Sequence, residues 1–73
     1  MIKTLTKVQN SSMVYAVGYD RETRTLEVVF RRGQIWAYTE VPERVYRALM
    51  KASSVGSYLR NSIIGEYDET RIR

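Results

Sequence analysis

A chain of 73 residues with neither cysteine nor histidine has no disulfide staple and no thiol chemistry. It also lacks the side chain that most often serves as general base or transition-metal ligand. Its net charge of +4 and pI near 9.7 lean towards an acidic partner, either nucleic acid or an acidic protein surface. A single domain of this size buries only about 60% of its chain surface, so the fold must rest on aliphatic packing and on six tyrosines, one tryptophan and one phenylalanine.

Residues 1–12 are mixed polar, with Ile2, Leu5 and Val8 spaced at three. They are compatible with a helical turn, an edge strand or a flexible arm, and the plain reading is a frayed terminus. Lys3 and Lys7 make this arm basic. The start lacks the apolar core of a signal peptide, and no apolar run approaches the ~18 residues of a membrane span. The expected location is the cytoplasm.

The first strand is predicted over Met13 to Tyr19, apolar on both faces and therefore covered in part on both sides. Asp20 to Arg24 is a polar connection of hairpin length. Leu26, Val28 and Phe30 alternate with Glu27, Val29 and Arg31 in the period of a second strand, and Trp36 and Tyr38 repeat that period in a third. A two-residue loop would set Phe30 on the face of Ile35 and Ala37. The odd loop Arg31-Arg32-Gly33, with Gly33 left-handed, instead gathers Trp36 and Tyr38 onto the face of Leu26, Val28 and Phe30 and leaves the two arginines at an exposed tip.

Val41-Pro42 opens a helix, with proline at its first position and Glu40 and Glu43 at the positive end of its dipole. Val41, Val45 and Leu49 form one ridge and Pro42, Tyr46 and Met50 the next, a stripe that should cover the aromatic hairpin. Arg44, Arg47 and Lys51 lie on another face. Ser53 or Ser54 caps a second helix from about Val55 to Ile63, ended by a left-handed Gly65. The expected architecture is α+β: a three-stranded antiparallel meander followed by two short helices packed on one face. Its domain spans 13–65, between an N-terminal arm at 1–12 and a tail at 66–73.

Nothing in this pattern marks an enzyme. Most of the carboxylates fall in turns, at a helix start or in the tail, and the four glycines are isolated. Glu66, Asp68 and Glu69 lack the loop logic of a calcium site and read as a solvated tail. The basic groups are more suggestive, because arginine forks suit phosphates and carboxylates. Tyr38 reads as core beneath the helix. Trp36 reads as half exposed, where it would be a stacking platform for bases on an open surface.

The ordered series Gly18-Tyr19-Asp20, Leu26-x-Val28-x-Phe30-x-x-Gly33, Trp36-x-Tyr38, Val41-Pro42, Tyr46, Ala52-Ser53-x-x-Gly56 and Tyr58 resembles the KTSC domain across about Ser11 to Tyr67. That family is named after an extension at the C-terminus of some lysyl-tRNA synthetases and also occurs as a small stand-alone protein. Trp36 stands where the family usually has the first tyrosine of its Tyr-x-Tyr. The synthetase context implies RNA binding. The length, the N-terminus and the missing cysteine and histidine also resemble a phage-encoded member that binds the host's bacterial RNA polymerase, blocks initiation and lets polymerase read through terminators. That resemblance implies a surface of the polymerase core near the RNA exit region as partner, with nascent RNA as a second contact.

The expected function is therefore transcription regulation by surface occupancy, without catalysis, cofactor or membrane, by a monomer. The expected contacts are Lys3, Lys7, Arg31, Arg32, Trp36, Arg44, Arg47 and Lys51. The alternatives are a small RNA-binding module using Trp36, Arg31 and Arg32, and a self-associating protein using a sheet face with Val29, Ile35 and Ala37 exposed.

Overall fold

The computed structural model describes residues 4–9 and 11–73. In chain order the elements are β1 (Thr6–Lys7), β2 (Val14–Asp20), β3 (Thr25–Phe30), β4 (Ile35–Tyr38), α1 (Glu43–Lys51), α2 (Val55–Ser62) and β5 (Glu69–Arg71). The strands form one five-stranded antiparallel sheet in sequential order, β1-β2-β3-β4-β5. The fold is α+β, but the meander has two more strands than the sequence pattern predicts. The extra strands are its edges, one from the N-terminal arm and one from the tail. Each is two or three residues long and exposed throughout, so neither carries the apolar alternation by which a strand is read. Backbone bonds hold them: the Val8 amide donates to the Tyr15 carbonyl, and the Ile72 amide to the Ile35 carbonyl.

The hairpin between β3 and β4 turns through Arg31, Arg32 and Gly33. Gly33 sits at φ 101° and its amide donates to the Phe30 carbonyl. This odd loop sets Leu26 opposite Tyr38 and Val28 opposite Trp36, the register that puts the large residues on one face. β2 joins that face through a bulge between Val14 and Ala16. The bulge puts Val14 opposite Phe30 and Val17 opposite Val28, so both valines reach the same core.

Both helices cover this face. Val14, Val17, Leu26, Val28 and Tyr38 from the sheet cluster with Val41, Leu49, Leu59 and Ile63. Pro42 stands one residue ahead of α1, with extended backbone (ψ 148°) rather than at its first helical position. Its carbonyl accepts from the Val45 and Tyr46 amides. Ser54 caps α2 by accepting the Ser57 amide, and Gly65 is left-handed at φ 88°. Among the described residues the opposite sheet face carries no helix. Val29 and Ile35 are half-buried there, but Ala37 is buried, contrary to the exposed patch expected for self-association. Its methyl group is small and lies between Glu27 and Thr70 of the neighbouring strands.

The turn after β2 and the entry to α1 are tied together. Asp20 accepts the amides of Thr23 and Glu22, and these bonds hold its carboxyl below the usual range. The turn closes with Arg24 left-handed at φ 58°, and the Arg24 carbonyl accepts the Val41 amide. The Tyr19 hydroxyl donates to the Val41 carbonyl, and its ring stacks on Tyr46 at 4.8 Å and 8°.

Candidate partner-binding site

The basic residues singled out in the sequence fall in three places. The first is the N-terminal arm. Lys3 lies outside the described residues; Lys7 is exposed on β1, with its ammonium 5.8 Å from the Tyr15 ring centroid. Arg31 comes down on the same ring at 5.6 Å. Its Nε donates to the Ser11 carbonyl at 2.6 Å and an Nη to the Val8 carbonyl at 3.3 Å.

Arg31 is therefore committed to the fold. It clips the arm to the hairpin tip rather than standing free there. A lysine could not present this fork. Arg31→Lys is expected to cost about 1 kcal/mol and to speed exchange of the Val8 amide roughly fivefold, measured by hydrogen exchange. An unchanged Val8 rate would show that the clip does not hold the arm.

The second place is α1, where Arg44, Arg47 and Lys51 are all exposed. Arg47 is held by Glu43 at 2.9 Å, and the same carboxylate meets Arg21 at 3.2 Å. Arg44 and Lys51 have no ion pair among the described residues.

The third is a groove of about 490 Å³ between the hairpin tip and the end of α2. Met13, Phe30 and Ile64 form its apolar part, and Arg32 and Arg60 line it with Ser12 and Gln34. A second hollow of about 230 Å³ lies beside it. It shares Phe30, Gln34 and Ile64 and adds Trp36, Tyr38 and Glu69. Trp36 is half-buried, whereas Tyr38 is only 2% exposed. Burial, and then the adjacent Glu69 carboxylate, push the Tyr38 hydroxyl up to about 12.

The fold thus puts Arg32 and Trp36 on two adjacent hollows, and none of the basic side chains of α1 lines either one. Arg60 and Ile64 carry no signal in the sequence, and Glu69, read there as part of a solvated tail, lines the second hollow instead. They lie far along the chain: the packing of α2 on the sheet brings Arg60 and Ile64 to the hairpin, and the pairing of β5 with β4 sets Glu69 opposite Tyr38. Glu66, Asp68 and Glu69 do not converge; among the described residues no three His, Cys, Asp or Glu side chains group to hold a metal ion. Nor is any described helix long and apolar enough to cross a membrane.

Architecture and register together define a small α+β domain in which an antiparallel meander carries a helix pair on one face. The chain belongs to the KTSC domain family, whose model matches residues 10–67. It is 34% identical to a KTSC domain protein from Yersinia pestis of known crystal structure. The two superpose with a TM-score of 0.89 over 96% of this chain and 97% of the other. It is also 42% identical over 48 residues to an uncharacterized protein of Stutzerimonas stutzeri (strain A1501), an alignment covering 66% of this chain and 68% of the relative.

Proposed function

We propose that this chain is a phage-type transcription regulator. In this reading it binds the host's bacterial RNA polymerase core, inhibits sigma-dependent initiation and promotes antitermination by occupying a surface, without catalysis. The choice of polymerase rests on the resemblance in length, N-terminus and composition described above. The observation that carries a binding role is the cationic face of α1. There Arg44 and Lys51 are exposed without acidic partners among the described residues, the arrangement that steers a domain onto an acidic protein surface. A bare RNA-binding role is less well supported. Arg31 is spent on the arm, and Glu69 lines the hollow beside Trp36, where it would repel phosphates.

Co-elution with purified polymerase core is the test. A stable complex is expected, with initiation from a sigma-dependent promoter reduced in its presence. Arg44→Glu combined with Lys51→Glu should weaken the complex about tenfold or more and flatten its salt dependence. Failure to co-elute, or association that disappears with nuclease, would sink the reading.

A further inference from the structure

The surface that combines charge with apolar relief is the groove between the Arg31–Gly33 turn and the end of α2. Arg32 and Arg60 are exposed, lie on that groove and have no ion pair among the described residues. Two guanidinium forks from separate elements beside one hollow are suited to clamp a carboxylate. Met13, Phe30 and Ile64 supply apolar relief next to them. The volume of about 490 Å³ falls within the roughly 300–1,000 Å³ of ligand clefts.

The neighbouring hollow shares Phe30, Gln34 and Ile64 with the first and ends at Trp36 and Glu69. Charge therefore changes sign across two adjacent hollows, from two arginines past shared apolar side chains to a carboxylate. A nucleic-acid strand lying along them would carry phosphates towards Glu69, which is unfavourable. A peptide can alternate its charge to match.

We propose that this groove docks an extended segment of a protein partner, in which an acidic residue, bulky apolar side chains and a basic residue follow one another. The acidic residue is held by Arg32 and Arg60. The apolar side chains lie on Phe30 and Ile64, and the basic residue lies towards Glu69. The inference deepens the reading of the chain as a surface-binding module and names the chemistry of what it binds; it does not depend on the partner being polymerase.

The test is selection from a random peptide library on the immobilised full chain, followed by titration of the selected peptides into isotope-labelled protein. Peptides pairing an acidic with a large apolar residue should be enriched, and they should shift the amides of Phe30, Gln34 and Ile64. Arg32→Glu combined with Arg60→Glu, both at exposed positions, should retain the folded spectrum and weaken these peptides at least tenfold. Peptides whose acid is changed to lysine should then recover affinity for the double variant.

The proposal is overturned if the enriched peptides lack acidic residues, or if the double variant binds them unchanged. It is also overturned if single-stranded oligouridylate, rather than peptide, shifts the groove amides. Peptide binding with no polymerase complex would remove polymerase as the partner and leave the groove standing. A polymerase complex with no effect of the double variant on peptides would overturn the groove alone.

Discussion

Leu59→Ala is expected to remove about 3 kcal/mol of folding stability, within the roughly 2–5 kcal/mol seen when a buried leucine is cut to alanine. Leu59 is fully buried, and it is the one buried side chain within α2. Its carbonyl also accepts the amides of Ile63 and Ile64 as the helix ends. Cutting it back to a methyl leaves a void in the core cluster that Leu59 shares with Leu49, Val17 and Val28, and a short helix cannot close that void without leaving the sheet.

A domain this small has roughly 5 kcal/mol to lose, so the variant should be partly unfolded at 37 °C. The readout is the urea midpoint, with Leu59→Met as the volume-conserving control, expected to cost less than about 1.5 kcal/mol. A loss below about 1 kcal/mol would show that α2 does not brace the core. The consequence extends to binding, because Arg60 and Ile64 flank Leu59 and reach the groove only when α2 is docked.

The second large effect is alkaline instability centred on Tyr38. Its hydroxyl is raised from 10.0 to about 12, by burial first and then by the Glu69 carboxylate. Below pH 10 both folded and unfolded chains keep the proton, and the stability associated with Tyr38 is fully present. Between pH 10 and about 12 the unfolded chain releases it while the folded one holds it, so each pH unit lowers stability by about 1.4 kcal/mol. Across the window the loss approaches about 2–3 kcal/mol, and above the folded value it levels off.

Tyr19 is also raised by burial and acts in the same direction, so wild type alone cannot assign the slope. Tyr38→Phe separates the two: its urea stability between pH 10 and 12 should fall less steeply than that of wild type by about 1 kcal/mol per pH unit. Parallel slopes would show that Tyr38 does not control this transition.

Much of the scaffold was legible because it follows local rules. Leu26, Val28, Trp36 and Tyr38 share a face because Gly33 takes a left-handed turn after two arginines, and both features are visible in one hairpin's worth of sequence. The ridges of α1 and the Ser54 cap are equally local. β1 was open only as one of three readings of the arm and β5 was not legible, because an exposed edge strand needs no apolar alternation: it is defined by the neighbour it bonds to. The bulge in β2 was hidden for the same reason, since register belongs to a pair of strands and not to either one.

Arg31 and Arg32 show what sequence alone determined and what waited for the tertiary structure. Adjacent in the chain, of the same chemistry, both at a predicted tip, they were indistinguishable as candidates. The fold gives them different work. Arg31 meets two carbonyls of the arm and the Tyr15 ring, whereas Arg32 lines the groove with Arg60. Composition and periodicity determined a small basic α+β domain with an aromatic hairpin beneath a helix, because those properties follow from side-chain size, charge and spacing. Which cations are spent on structure, and which are left to meet a partner, was decided by contacts between residues about twenty to thirty positions apart, and only the folded chain brings these together.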